Sequence, residues 1–176
     1  VDIFTIGSDW VGRFDYLNEY CRVVYLERTK GVSSSELRDR QHPLIRLGVV
    51  GSGRIANRFI PESKFVSGVT VEGVFNPHED SAKSFAKKHE LAFYTSDYDS
   101  FLRRVNAVYI ASPHETHYAY AEQALQAGKH VLCEKPMVFT VDEAQRLFAL
   151  ARDRGLILME AIKTAYCPGF QRLVSC

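Results

Sequence analysis

Several things are scarce in this chain, and each scarcity excludes something. Basic and acidic residues number 22 and 21, so the formal net charge is +1. No basic surplus exists to neutralise nucleic-acid phosphates or an anionic membrane surface. No apolar run approaches the roughly 18 residues that a membrane-spanning helix needs, and no secretory leader opens the sequence. The four cysteines, Cys21, Cys133, Cys167 and Cys176, form no C-x-x-C pair and no metal-ligand spacing. Without a leader, free thiols in a reducing cytoplasm are expected. Cys133, inside an apolar run, reads as a small buried hydrophobe rather than a nucleophile. His114-Glu115-Thr116-His117 misses the H-E-x-x-H spacing because position 118 is Tyr118, so no metal site is expected. What is left is the composition of an ordinary globular chain, 46% hydrophobic and 24% charged. Its 176 residues leave room for one domain and part of another. Val1 enters directly into a strand pattern and Cys176 follows a freshly begun apolar segment, so both ends are expected to be cut.

The pattern along the chain falls into two parts. Residues 1–6 alternate β-formers and stop at the turn signal Gly7-Ser8-Asp9. Trp10, Phe14 and Leu17 have near-helical spacing, which predicts a short helix over 10–19. A second strand is predicted over 21–26. Ser33-x-x-Glu36 has the spacing of a capping box and predicts a helix from Ser34; the charged stretch over 38–43 reads as a linker. From Leu44 onward strands are predicted over 44–50, 69–75, 91–94, 105–111, 130–133 and 156–159. Helices are predicted from Ile55, with Pro61 kinking or ending it, over 80–89, 97–104 and 116–127, and from a second capping box at Thr140-Val141-Asp142-Glu143. Near-continuously apolar strands alternating with helices predict an α/β fold with a doubly wound parallel sheet.

The first strand of that second part runs into Gly51-x-Gly53-x-x-Ala56 and then a helix. Gly51 permits a tight turn, Gly53 lets backbone approach a pyrophosphate, and Ala56 lets the helix pack close on the strand. The helix N-terminus offers free N–H groups and a positive dipole end. This predicts a dinucleotide, NAD or NADP, held around Gly51, Gly53, Arg54 and Ile55. The residue that chooses between the two should end the next strand, about twenty residues on. Asn76-Pro77-His78 stands there, with no carboxylate for a ribose 2′-hydroxyl. Asn76 suits a ribose hydroxyl, a phosphate oxygen or plain Asn-Pro turn chemistry, and Arg54 is placed for a 2′-phosphate. Lys135 follows strand 130–133, at the strand ends where open parallel sheets bind ligands. Partly desolvated against a nicotinamide, it would have a lowered pKa and pass a proton to or from a substrate hydroxyl; a solvated lysine beside a loop proline is the plain alternative.

Residues 44–170 resemble the N-terminal domain of the Gfo/Idh/MocA oxidoreductases. The resemblance rests on GSGRIA at 51–56, SPHETH at 112–117, AGKHVLCEKP at 127–136 and MEAIKTAYCPGF at 159–170, in order and at the proper distances. It implies a catalytic or substrate-orienting role for Lys135, a place near the nicotinamide ribose for Glu134, and a cofactor-lining turn at Ser112, Pro113 and His117. It also implies a small-molecule substrate, a sugar or polyol hydroxyl or the matching ketone, and a homo-oligomer at full length. The family carries a second, substrate-binding domain, before which this chain stops. Cofactor binding is therefore expected of the chain, and turnover is not.

Residues 1–40 are similar to something else, the C-terminal third of a glycerol-3-phosphate cytidylyltransferase-type nucleotidyltransferase. The family's R-T-x-G-I-S-S/T-S/T stretch stands here as RTKGVSSS at 28–35. Arg28 offers a forked cation to phosphates, and Ser33 and Ser34 open a helix able to hold them. The resemblance puts Asp9 and Trp10 near the nucleotide base. The family's H-x-G-H motif does not occur. The reading is a bifunctional protein: a cytidylyltransferase-like fragment at 1–40, the linker end at 41–43, and an NAD(P)-binding domain at 44–176. An alternative makes CTP-dependent cytidylyl transfer to a polyol phosphate the main activity, with CTP as partner and the second part as accessory or sensor.

Overall fold

The computed structural model describes residues 2–27 and 44–175. Arg28, Ser33 and Ser34, the capping box at 33–36 and the linker at 38–43 lie outside the described residues. The chain divides into two compact units, Val1–His42 and Pro43–Cys176.

In the first unit β1 (Ile3–Gly7) and β2 (Arg22–Leu26) pair in parallel, with Ile3 opposite Arg22 and Gly7 opposite Leu26. The helix predicted over 10–19 does not form. Two 3-10 turns, Ser8–Trp10 and Asp15–Glu19, replace it. Gly12 stands between them at φ 83°, a left-handed conformation through which no right-handed helix continues. Side chains close the crossover instead. Tyr25 Oη donates to Asp15 Oδ1 at 2.7 Å and accepts from the Phe14 N–H at 3.2 Å. The Phe14 ring lies 5.5 Å from Phe4 and 5.9 Å from Trp10. Ile3, Trp10, Tyr16 and Leu26 stay exposed, because two strands cannot bury both of their faces.

The second unit holds the strands β3 (Ile45–Val50), β4 (Val69–Phe75), β5 (Phe93–Thr95), β6 (Ala107–Ile110), β7 (His130–Cys133) and β8 (Leu158–Glu160). They form one parallel sheet in the order β5-β4-β3-β6-β7-β8. Between them run α1 (Arg54–Ser63), α2 (Glu79–His89), α3 (Tyr98–Arg104), α4 (His117–Gln126) and α5 (Val141–Asp153). The short helices α6 (Lys163–Tyr166) and α7 (Pro168–Val174) follow β8. Each face of the sheet carries its own core. Val49, Val74 and Tyr109 pack with Ala56 and Ile60 of α1 and Phe85 of α2. Val50, Val108 and Ile110 pack with Phe101 of α3, Leu125 of α4 and Leu147 of α5. Strands covered on both faces need no polar alternation, which is why β3 and β6 read as continuous apolar runs.

The capping box at Thr140 forms as its spacing predicts: the Thr140 hydroxyl accepts the Glu143 N–H at 3.2 Å, and Glu143 accepts the Thr140 N–H at 3.1 Å. Of the two expectations for Pro61, ending the helix is not met. Pro61 sits inside α1, which continues to Ser63. The ring removes the donor that would bond Asn57 O; separately, the Ser63 hydroxyl donates to Ile60 O at 2.8 Å at the helix end. The strand order reverses between β3 and β6: the chain winds outward through β4 and β5, then returns to wind through β7 and β8. The strand ends diverge at that reversal and open a crevice.

Candidate dinucleotide-binding site

Three strand ends meet at Gly51. Its N–H donates to Phe75 O of β4 at 2.8 Å, its φ is 97°, and a Cβ there would lie 2.7 Å from Ala111 O, just past β6. Gly53 is the opposite case, since a Cβ there would meet nothing within 4 Å. The loop therefore presents an exposed concavity at the head of α1, where the first-turn N–H groups have no partner within the helix. Gly53, Arg54 and Ile55 are all exposed around it. A pyrophosphate fits this cradle, with bare backbone at Gly53 to approach and a positive helix end to meet its charge.

At the end of β4, both ends of the Asn76 amide have a partner within the protein. Its Nδ2 donates to Ser52 Oγ at 2.8 Å, and its Oδ1 accepts the His78 N–H at 2.9 Å. The second bond is the turn chemistry expected of Asn-Pro; the first braces the glycine loop against the neighbouring strand.

Past β6, the Ser112 and Thr116 hydroxyls lie 2.7 Å apart, and Thr116 Oγ1 donates to Pro113 O at 2.7 Å. A 3-10 turn, His114–Thr116, leads into α4. His117, placed by the resemblance along the cofactor, is completely buried. Its ring nitrogens lie 3.0 Å from Ser112 O and 2.9 Å from Pro136 O. His117 thus shapes the crevice by holding the loops after β6 and β7, and its own side chain does not face the opening.

Past β7 come Glu134, Lys135 and Pro136, with a cis bond between the last two. Tyr109 Oη donates to Glu134 Oε1 at 2.6 Å. Burial first, and then the Glu134 carboxylate, raise the Tyr109 pKa, so the phenol keeps its proton and acts as donor. The Met137 N–H donates to Glu160 Oε1 at 2.8 Å and anchors the loop from the β8 side. Lys135 itself is exposed. Cys133 is buried, and burial followed by Glu160 and Glu134 pushes its thiol up to about 12; it stays protonated and inert.

Beside α1 and the loop after β7 lies a cleft of 380 Å³ lined by Ile55, Phe59, Tyr109, Glu134, Lys135 and Lys163 among others. Glu62 stands at its rim, 3.1 Å from Arg58 Nε and 3.7 Å from Lys163 Nζ. The hydrogen bond from Arg58 and the Lys163 charge lower its pKa. Among the described residues no three His, Cys, Asp or Glu side chains gather in a metal-holding group, and no helix is long and apolar enough to cross a membrane.

The sequence pattern did not disclose Tyr109, Glu160 or Asn57 as parts of this site. For Tyr109 a signal existed. It pairs in register with Leu132, and Glu134 is two residues beyond, on the same face of the sheet. Knowing the order of β6 and β7 would have exposed the contact. For Asn57 and Glu160 no local signal distinguishes them from other polar residues.

Residues 45–162 match the family described as "Oxidoreductase family, NAD-binding Rossmann fold" (GFO_IDH_MocA). The scyllo-inositol 2-dehydrogenase (NADP(+)) IolU of Bacillus subtilis is 34% identical over 132 residues, covering 74% of this chain and 40% of its own length. The dTDP-3,4-didehydro-2,6-dideoxy-alpha-D-glucose 3-reductase of Actinomadura kijaniata is 40% identical over 119 residues, covering 66% of this chain and 36% of its own. A solved structure of a 3-ketoreductase from Actinomadura kijaniata, in complex with NADP and TDP-benzene, matches with a TM-score of 0.70 at 36% identity, over 75% of this chain and 41% of that one. The chain thus spans about two fifths of the length of the relatives it matches. All of the family match falls within the second unit.

Proposed function

The chain belongs to the Gfo/Idh/MocA oxidoreductase family, and from that membership we propose that it is the cofactor-binding part of an NAD(P)-dependent enzyme that oxidises a sugar or polyol hydroxyl or reduces the matching ketone. One observation carries this reading. Ile55, at the head of α1 beside the open cradle of Gly53, lines the same cleft as Glu134 and Lys135. A dinucleotide has its phosphates and its reactive ring at two such places.

Gly51, Gly53, Arg54 and Ile55 hold the pyrophosphate; Ser52 and Asn76 meet the adenosine ribose; Ser112 and Pro113 follow the middle; Glu134 and Lys135 meet the nicotinamide end. When bound, the nicotinamide supplies or accepts the hydride. The protein's own part is proton handling and orientation. Lys135 Nζ gives or takes the proton at the substrate oxygen. Glu134, fixed by Tyr109, holds its carboxylate at the ribose end of the cleft, and the Glu160 bond to Met137 steadies the loop beneath. Arg54, with no carboxylate at the end of β4, favours NADP, the cofactor in the names of the Bacillus subtilis relative and the Actinomadura kijaniata complex. The free thiols of Cys21, Cys133 and Cys167 suit a reducing cytoplasm. At full length the enzyme is a homo-oligomer.

Fluorescence titration of this chain with NADPH and NADH tests the reading. NADPH is expected to bind more tightly, with Arg54→Ala narrowing the preference; failure of both cofactors to bind overturns it. In the protein that includes its substrate domain, Lys135→Ala is expected to lower turnover by about 100-fold or more with cofactor binding kept. Normal turnover in that variant removes Lys135 from the chemistry.

A second reading concerns the first unit. Its described residues form a parallel β1–β2 pair joined through two 3-10 turns, and the reading rests on the resemblance of residues 1–40 to a nucleotidyltransferase tail. Asp9 and Trp10 then face a cytidine base, and Arg28, Ser33 and Ser34 its phosphates. CTP consumption by the full-length protein, lost in Arg28→Ala, supports this; no CTP consumption sinks it.

A further inference from the structure

The Asn57 side chain of α1 reaches back into the glycine loop. Its Nδ2 lies 2.9 Å from Gly53 O and 3.2 Å from Ser52 O. Its Oδ1 accepts from Lys88 Nζ at 2.8 Å and lies 2.9 Å from His89 Nε2, both at the C-terminal end of α2. The lysine fixes which way the amide points. An ammonium group only donates, so the atom facing it is the oxygen, and the NH₂ is left for the two carbonyls.

From this geometry we infer that Asn57 is a positioning residue for dinucleotide binding: it aims the loop's N–H groups at the pyrophosphate by holding the loop's carbonyls. The reason is the planarity of the peptide unit. In a trans peptide the C=O of one residue and the N–H of the next point in opposite directions. Ser52 O shares its peptide plane with the Gly53 N–H, and Gly53 O shares its plane with the Arg54 N–H. Two carbonyls drawn toward Asn57 set both N–H groups facing away from it. The Gly53 carbonyl accepts the Asn57 backbone N–H at 3.0 Å, the first bond of α1, and Gly53 has no side chain to restrict its rotation further. The Asn57 amide adds a second bond to Gly53 O and extends the hold to Ser52 O, and the Lys88 and His89 contacts hold the amide in turn. Binding then costs less ordering of the loop, which is how preorganisation raises affinity.

The inference rests on the proposed dinucleotide binding, and the experiment separates the two. NADPH is titrated by fluorescence into the full chain, as wild type, Asn57→Leu and Lys88→Met. Backbone order parameters of Gly53 and Arg54 are measured by ¹⁵N NMR on the unliganded proteins. No binding by the wild type overturns the functional reading and the inference with it. Given wild-type binding, Asn57→Leu is expected to weaken it about tenfold, the loss of two neutral hydrogen bonds, and Lys88→Met by about threefold. The order parameters of Gly53 and Arg54 are expected to fall from the rigid range toward about 0.6 in Asn57→Leu. An unchanged affinity in folded Asn57→Leu overturns the inference while the functional reading stands. Weakened binding with unchanged order at Gly53 and Arg54 also overturns it, because the effect then comes from helix packing. Should Asn57→Leu fail to fold, Lys88→Met decides, and unchanged affinity there overturns the inference.

Discussion

Tyr109 and Glu134 meet across the two strands that flank the cleft, with Tyr109 Oη 2.6 Å from Glu134 Oε1. Neither side chain is placed by its immediate neighbours in sequence. The Tyr109 ring is fixed by stacking on Phe59 of α1, with centroids 3.9 Å apart, and its hydroxyl then reaches the carboxylate. One helix and two strands are thereby tied at the point where the proposed nicotinamide end lies. Tyr109→Phe keeps the stack and removes only this bond. It is expected to lower stability by about 1 kcal/mol and to loosen Glu134, seen as a reduced denaturation midpoint with weakened NADPH binding. A variant identical to wild type in both would show that the bond holds nothing.

Gly51→Ala is the sharpest test of the loop. Its φ of 97° disfavours any residue with a Cβ, and the Cβ would sit 2.7 Å from Ala111 O. The strain is of order 1–3 kcal/mol, and backbone must move to relieve the clash. Denaturant unfolding is expected to show that loss, with NADPH binding abolished. Gly53→Ala, whose Cβ meets nothing within 4 Å, is expected to leave stability nearly unchanged and to reduce binding alone. If both substitutions act alike, the division of labour between the two glycines is wrong.

His89 gives the second unit a pH dependence. Burial, then the charges of Lys88 and Lys64, lower its pKa below 6.5. The unfolded chain therefore binds the proton more readily than the folded one, and stability rises with pH across that window. The contribution is complete above 6.5 and is lost as the pH falls from there through the lowered folded-state value. Urea midpoints at about pH 7.5 and about pH 5.5 check this. The wild type is expected to lose more than His89→Gln, which keeps a donor toward Asn57 and does not titrate. Equal losses would assign the pH dependence elsewhere.

Thr140→Ala removes the hydroxyl that caps α5 at 3.2 Å from the Glu143 N–H. A loss of about 1 kcal/mol is expected, with NADPH affinity unchanged, because α5 packs on the sheet face remote from the glycine loop. A change in affinity as large as the change in stability would show that α5 does shape the site.

Much of the second unit was legible from local patterns. The apolar runs of β3 and β6, the capping box at Thr140 and the Gly51–Ala56 spacing each report a constraint that acts within a few residues: burial on both faces, unsatisfied first-turn N–H groups, and close backbone approach. Pro61 and the stretch over 10–19 misled for a related reason. Helical spacing and a proline are local signals, but Gly12 breaks one helix and the C-terminal position of Pro61 spares the other.

By itself, then, the sequence determined a doubly wound parallel sheet, the position of its glycine loop, and the placing of Lys135 at a strand end. Tertiary structure alone decided how that site is held. Tyr109 against Glu134, His117 between Ser112 and Pro136, Glu160 under Met137, and Asn57 between the glycine loop and α2 all join residues from separate elements. A hydrogen bond depends on distances of a few tenths of an ångström. Such distances between distant residues are set only when the sheet order and helix packing bring their backbones together.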